Sequence, residues 1–281
     1  MRFSTITLAA AALLAASPAF AQDAAQSSTP ADAHDSPAAD SGPTAPPKAF
    51  TLSGAVTGIS EYRFRGLTQT GGDPAVQGTL NLNTRAGFYV GTWASTIDGS
   101  RHNRTPLLTG YGPEEVDLYG GYTKTFRGVG VDAGLLYYYY PGGAKGQNTD
   151  FFEPYANLSY TIGPVAAKIG VNYAWGGQKG LDFRPNNSDS NLYVYGEASA
   201  AIPTTPITLK GHVGRTQGSL GLANLNPADD TYYDWSVTAE GVGGPLKVGV
   251  SYVDTSITER GGYARAFGRG STVLGYVGVS F

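Results

Sequence analysis

From Ala49 to Phe281 the chain consists of short segments in which apolar and polar residues alternate, separated by Gly, Pro, Asn and Asp. The first segment places Phe50, Leu52 and Val56 at even positions and polar residues at odd ones. A period of two is typical of a β-strand with unlike faces, and no segment keeps the 3.6-residue period of a helix. The twelve segments have about 9–14 residues, and a tilted strand needs roughly 9–11 to cross a bilayer.

We therefore predict twelve strands, of which the first extends from Phe50 to Arg65 and keeps Tyr62 and Phe64 on its apolar face. The strand at 165–175 repeats the alternation, whereas the strand at 87–97 has two mixed faces and an open register. If the strand predicted at 87–97 or the one at 231–242 is wrong, the barrel would have ten or fourteen strands. The other strands are predicted at 75–85, 115–126, 129–140, 151–162, 191–202, 206–216, 231–242, 246–256 and 270–281.

The connections between these strands alternate strictly between short and long. Short ones fall near 85–86, 127–128, 163–164, 203–206 and 243–245, and long polar ones lie between them. Transmembrane barrels have this plan, with tight turns on the periplasmic side and longer loops outside. A soluble sandwich has no reason to separate its loops by length. The fold class predicted is all-β, a transmembrane antiparallel up-and-down β-barrel of twelve strands.

Aromatic residues cluster at the ends of the predicted strands, as the two bilayer–water boundaries favour. The lower, periplasmic edge receives Phe50, Phe88, Phe126 and Phe281. The upper edge receives Tyr62, Phe64, Tyr137, Tyr139, Tyr173, Trp175, Tyr233 and Trp235. Phe281 ends a strand whose outward face carries Val273, Val277 and Val279, and we expect it to close the barrel against the first strand.

The N-terminal 48 residues differ from the rest of the chain in composition and in the pattern of apolar residues. Residues 1–21 combine Arg2, a short Leu- and Ala-rich core and Ala19-Phe20-Ala21, which predicts a signal peptide cleaved after Ala21. Residues 22–48 contain Ala, Ser, Asp and Pro without an aromatic residue, which predicts a disordered linker. The barrel is then expected over 49–281, in the outer membrane of a Gram-negative bacterium.

Composition narrows the possible functions. Forty glycines and nineteen tyrosines with only 15% charged residues do not suit a helix-rich enzyme. The chain has no Cys, which excludes thiol chemistry and Cys-ligated metals. A net charge of −3 has the wrong sign for a nucleic-acid binder. We expect no cofactor, no metal and no catalytic residue.

Residues 60–78 read SEYRFRGLTQTGGDPAVQG, and residues 87–96 read GFYVGTWAST. This stretch resembles the opening of the TorF family of porins, and the likeness is densest over about 52–98. The resemblance implies a β-barrel in the outer membrane and a porin-like role. It implies no established substrate and no catalytic residues.

With the apolar face toward lipid, the polar face lines the interior, where charges of both signs are tolerated. Twelve strands lie between eight-stranded barrels filled by side chains and open porins of 16–18 strands. We expect a narrow pore for small hydrophilic solutes, with a closed barrel whose outer loops bind a partner as the alternative. The pore-lining residues predicted are Glu61, Arg63, Arg65, Arg85, Glu115, Asp117, Asp132, Glu153, Lys168, Lys210, His212 and Asp234, and the same register adds Glu197, Glu240 and Lys247.

Glu61, Arg63 and Arg65 are the densest group of these charges. At the outer mouth, two arginines would attract anionic groups, since guanidinium binds carboxylate and phosphate bidentately. Alternatively, the three form an internal salt-bridge network that closes the barrel. The sequence leaves both interpretations open, and it leaves a monomer or a trimer open as well.

A lipid hydrolase on a twelve-stranded barrel is the remaining alternative. It needs an accessible His beside a Ser on the lipid-facing side. Of the three histidines, His34 lies in the linker, His102 lies in a loop and His212 is predicted on the inner face. No G-x-S-x-G motif is present. We therefore expect no enzyme.

Overall fold

The computed structural model describes residues 49–99, 108–181, 190–224, 230–257 and 268–281. The predicted signal peptide and linker lie outside these residues. The described residues form fourteen strands: β1 Phe50–Ile59, β2 Arg63–Phe64, β3 Leu67–Thr68, β4 Ala75–Thr84, β5 Phe88–Gly99, β6 Gly112–Phe126, β7 Val129–Tyr139, β8 Phe151–Ile162, β9 Val165–Ala174, β10 Asn191–Ala201, β11 Ile207–Gly218, β12 Thr231–Gly243, β13 Leu246–Thr255 and β14 Thr272–Ser280.

Twelve of these described strands, β1 and β4 to β14, form a closed barrel in which every neighbouring pair is antiparallel. The barrel closes between β1 and β14, from Ala55 opposite Ser280 to Ile59 opposite Tyr276. Phe281 extends the seam, because its N–H donates to the Gly54 carbonyl at 2.9 Å and its own carbonyl accepts from the Gly54 N–H at 3.1 Å. The prediction of a twelve-stranded all-β barrel is confirmed.

The barrel is apolar outside and polar inside, the reverse of a soluble domain. Outward side chains such as Val56, Ile169 and Val273 are 58%, 62% and 66% exposed. Inward side chains such as Asn81 and Lys168 are buried. A closed barrel satisfies every strand's backbone hydrogen bonds internally, which is what a lipid environment demands. In the part of the chain that the structure describes, no helix is long and apolar enough to cross a membrane.

The first strand is shorter than the sequence predicts. It ends at Ile59, opposite Ala75, the first residue of β4. Beyond that point β4 offers no continuing partner. The Ser60 N–H still donates to the Gly275 carbonyl of β14 at 2.9 Å, and the chain then turns into the barrel while β14 continues to Thr272. The predicted extension of the strand to Arg65 is therefore wrong. Tyr62 is fully buried, and Phe64 packs edge-on against Tyr138, so neither belongs to the lipid-facing girdle.

The other predicted aromatic positions lie at strand ends on the outward face. Phe50, Phe88, Phe126 and Phe281 are exposed beside the short turns, and Tyr139, Tyr173 and Tyr233 are about half exposed at the opposite ends. Phe152 stacks between Tyr137 and Trp175, with ring centroids 4.5 and 6.0 Å apart. The strand ends thus carry aromatic contacts on both sides of the apolar band.

Candidate functional site: the barrel interior

Residues 60–72, called here the inner hairpin, fold from the end of β1 into the barrel. Strands β2 and β3 pair only with each other. The turn between them has positive φ at Arg65 (48°) and Gly66 (77°), as a two-residue hairpin turn requires. The Asp98 amide donates to the Gln69 carbonyl at 2.8 Å, and the Tyr232 hydroxyl donates to the Arg65 carbonyl at 3.0 Å.

Arg65 stands at the tip of the inner hairpin with no solvent exposure. Its Nη2 donates to both carboxylate oxygens of Glu153, at 2.9 and 2.7 Å. Its guanidinium also lies over the rings of Tyr193 and Phe64, 4.1 and 4.7 Å from their centroids. Burial alone would lower the pKa of Arg65, but Glu153, Tyr138 and Tyr193 together keep the pKa above its ordinary value. Arg65 is therefore a permanent cation here.

Arg63 is paired as well. Its Nε lies 2.9 Å from Glu61 Oε1, and its Nη1 donates to the carbonyls of Gly66 and Gly270 at 2.9 and 2.7 Å. The Thr272 hydroxyl donates to the other Glu61 oxygen at 3.2 Å. In this structure Glu61, Arg63 and the hairpin tip form an internal network and do not stand at an exposed mouth.

Glu115 and Asp117 lie two residues apart on the inward face of β6, both fully buried. Asp117 interacts electrostatically with Glu115 and Glu153. Within the described part of the chain, neither oxygen of Asp117 has a hydrogen-bond partner. Glu115 and Asp117 interact electrostatically with Tyr62 of the inner hairpin, and Glu153 binds Arg65 at its tip.

A ladder of ionic contacts crosses the neighbouring strands β9 to β12. Lys168 Nζ lies 2.7 Å from Glu197 Oε2, and His212 contacts Glu197 through Nδ1 at 3.3 Å and Asp234 through Nε2 at 3.1 Å. The Tyr193 hydroxyl lies 2.8 Å from His212 Nε2 and 3.1 Å from Asp234. Because the Tyr193 ring also supports Arg65, the ladder is continuous with the inner hairpin.

The remaining predicted residues divide between the interior and the rim. Lys210 pairs with Glu240 at 2.9 Å, and Lys247 lies 5.8 Å from the Tyr276 ring centroid. Asp132 accepts hydrogen bonds from Tyr89 at 2.8 Å and from Asn157 at 2.9 Å. Arg85 is the exception: it is exposed in the turn after β4, so its predicted place inside the barrel is wrong.

Tyrosines seated on glycines are a feature that the sequence reasoning missed. A Cβ added to Gly249 would lie 2.2 Å from Tyr276 Cζ, directly across the β13–β14 pair. The glycines leave room for inward rings, a form of aromatic rescue. The sequence signal that could have predicted these contacts is a glycine on the inward face of one strand opposite a tyrosine on the inward face of the next. In the described barrel wall such directly opposed pairs are Tyr89–Gly121, Tyr119–Gly91, Tyr155–Gly134, Tyr195–Gly170 and Tyr276–Gly249.

Two other kinds of site, a hydrolase site and a metal site, can be compared with the structure. Both ring nitrogens of His212 contact carboxylates inside the barrel, so it does not supply the lipid-facing base that a hydrolase needs. Among the described residues, no group of three His, Asp or Glu side chains is arranged to hold a metal ion.

Comparison with known proteins places the chain in a family. Residues 42–277 match a family model described as a bacterial protein of unknown function, Gcw_chp. The chain belongs to this family. No curated protein matches it significantly. The more specific resemblance to the TorF family stays a prediction.

Among solved structures, the barrel is similar to the KdgM porin in complex with disordered oligogalacturonate, with a TM-score of 0.51 and 8% identity over 82% of this chain and 99% of that chain. The KdgM porin alone gives 0.51 and 9% over the same shares. The COG4313 outer membrane channel from Pseudomonas putida F1 gives 0.48 and 11% over 86% and 99%. At identities this low, the two matches to the KdgM porin show a shared fold alone.

Proposed function

We propose that the protein is an outer-membrane channel for the passive diffusion of small hydrophilic solutes. The observation that carries this proposal is the twelve-stranded barrel with an exposed apolar outside and a charged inside. Lysine, arginine and carboxylate side chains on the interior face would be costly in lipid and are suited to water. The similarity to porin structures supports the same proposal through the fold.

The barrel interior has two parts that differ in solvent exposure, and this difference affects which solutes the proposed channel could accept. On the side of the short turns, inward residues such as Asn157, Ser159, Lys210 and Lys247 keep partial exposure. On the side of the inner hairpin, inward residues such as Glu115, Glu153 and Asn172 are fully buried. In the more exposed part Lys210 is paired with Glu240 at 2.9 Å, and such a pair favours neither sign of charge. We therefore propose small neutral or zwitterionic solutes.

The location follows the same proposal. If the predicted signal peptide exports the chain, the short turns and the first and last residues of the barrel would face the periplasm. The long loops and the inner hairpin would then lie at the outer side. The TorF resemblance over about 52–98 agrees with this arrangement, and the partner is then outer-membrane lipid. A monomer and a trimer both accommodate it.

A second candidate is a closed structural barrel whose outer loops bind a partner. The observation in its favour is the filled outer half, where Arg65 and Glu153 pair without exposure to solvent. Eight-stranded barrels are filled by side chains in a comparable way. This candidate predicts a folded barrel that passes no solute.

Single-channel conductance of the refolded protein in a planar bilayer, under a salt gradient, separates the two candidates. Folding is first verified by heat-modifiable migration on a gel. Steady ohmic steps are expected for a channel, and Lys210→Gln should move the reversal potential toward cations because it removes an interior positive charge. Arg85→Gln is the matched control outside the barrel and should leave the potential unchanged. No current from folded, inserted protein would contradict the channel.

A further inference from the structure

The inner hairpin, residues 60–72, closes the interior that the proposed channel needs. We propose that this hairpin is the gate of the channel and that Arg65, bound to Glu153 and Tyr193, is its latch. The inference rests on the proposed function, since a gate has meaning only in a barrel that conducts. It goes beyond that function by assigning the regulation of passage to one segment and one ion pair.

The first argument is position. Tyr62 and Arg65 are fully buried and Leu67 nearly so, whereas inward residues such as Asn157 and Lys210 on the other side of the barrel keep partial exposure. The hairpin therefore occupies the level at which the interior is densely packed. Whatever crosses the barrel has to pass this segment.

The second argument is independence from the barrel wall. Strands β2 and β3 form a separate two-stranded sheet, while β1 continues to pair with β4 and β14 as far as Ile59. If the hairpin pivots after Ser60, whose N–H donates to the Gly275 carbonyl of β14 at 2.9 Å, its movement leaves the hydrogen bonds between barrel strands intact. It does break the hydrogen bonds from the Asp98 N–H to the Gln69 carbonyl and from the Thr68 N–H to the Gly268 carbonyl, at 2.8 and 3.1 Å. Gly71 and Gly72, at its end, both have positive φ, and glycine adopts such angles and their alternatives freely.

The third argument is that the latch is incompletely satisfied. Arg65 binds Glu153 through Nη2 alone, and its Nε and Nη1 have no hydrogen-bond partner among the described residues. The Thr68 hydroxyl on the same hairpin is buried without a partner among the described residues as well. Buried polar groups without partners favour a state in which water reaches them. The closed position is thus opposed by the desolvation of its own polar groups.

The ladder of ionic contacts on strands β9 to β12 holds Tyr193 in place, and Tyr193 is one of the groups that bind Arg65. Tyr193, whose ring lies under Arg65, is held by hydrogen bonds of its hydroxyl to His212 and Asp234. Glu153 is held by the Tyr138 hydroxyl at 3.1 Å. The latch therefore docks on groups that stay with the barrel wall when the hairpin moves.

The latch is tested by removing one charge. Glu153→Gln keeps the shape of the side chain but loses the ion pair, and the open probability in planar bilayers is expected to rise about tenfold or more. Glu240→Gln is the matched control, because Glu240 is equally buried and pairs with Lys210 away from the hairpin. An equal open probability in the two variants would overturn the latch.

The gate is tested by locking it. The chain has no cysteine, so Gln69→Cys with Asp98→Cys introduces a unique pair at positions joined by a 2.8 Å backbone hydrogen bond. The pair is bridged with a short bifunctional methanethiosulfonate reagent, and mass spectrometry confirms the bridge. Bridged protein should stop conducting and recover on reduction. Gly196→Cys with Val213→Cys, opposite each other in the barrel wall, is the control and should conduct throughout.

The outcomes separate the gate from the channel itself. If the wild type conducts and the bridged pair conducts equally, the gate is wrong and the channel stands. If the wild type, Glu153→Gln and the reduced pair are all silent although folded and inserted, the channel is wrong and the gate falls with it. Closure that follows the bridge and reverses with reductant supports both.

Discussion

Replacing Gly249 by Ala is the sharpest test of the seats that glycines provide for inward tyrosines. The new Cβ would lie 2.2 Å from Tyr276 Cζ and 2.3 Å from its hydroxyl oxygen. Carbon atoms in contact prefer about 3.5–4.0 Å, so the ring has to retreat by about 1.3 Å. That movement breaks the 2.7 Å hydrogen bond from the Tyr276 hydroxyl to Glu240.

The magnitude follows from these two effects. Overpacking costs about 1–3 kcal/mol, and losing a hydrogen bond to a charged group costs about 1.5–3 kcal/mol. Ala regains about 0.5–1 kcal/mol through its lower chain entropy in a strand. We therefore expect Gly249→Ala to lower the free energy of unfolding by about 2–5 kcal/mol.

The assay is urea unfolding of the refolded barrel in lipid vesicles, followed by heat-modifiable migration on a gel. Gly275→Ala is the matched control, since it lies beside Tyr276 on β14 and a Cβ there meets nothing within 4 Å. In a Tyr276→Ala background the cost of Gly249→Ala should disappear, as a double-mutant cycle would show. Equal stability of Gly249→Ala and Gly275→Ala would refute the reasoning.

Three further expectations concern closure and charge. Phe281→Ala should slow the appearance of the heat-modifiable form, because the Phe281 ring packs over Gly54 of β1 at the closing seam; an unchanged folding rate would show that the ring is dispensable. His212→Gln should destabilise the barrel by about 3–5 kcal/mol in urea, since two carboxylates lose a shared partner, whereas Arg85→Gln should have no effect. Arg63→Ala combined with Arg65→Ala should shift the reversal potential toward cations, and an unchanged potential would place this pair off the conduction path.

Much of the fold was predictable because its signal is local. Alternation along 165–175 assigns an outward and an inward face without reference to any other strand, and β9 keeps that pattern. The turns near 127–128 and 163–164 were equally visible, since Gly at these positions marks a break whatever surrounds it. A β-barrel with lipid outside and water inside requires the same alternation in every strand. The patterns of the single strands therefore predicted one barrel together.

The candidate site was predictable only in composition. The sequence indicated that Glu61, Arg63 and Arg65 share a face, and it left both a mouth and an internal network open while favouring the network. β1 ends opposite the first residue of β4, and that register is set by pairing between segments that are separate in the sequence. The alternation continues past Ile59 although the strand does not, so no local rule could have detected the turn.

The sequence by itself thus determined the barrel, its twelve strands and the outward face along most of them, because each depends on a period of two and on turn residues. The tertiary structure alone decided that residues 60–72 enter the barrel, that Arg65 meets Glu153, and that tyrosines sit on glycines of the next strand. Those contacts join residues far apart in the chain, and their geometry is fixed only once the strands close in register.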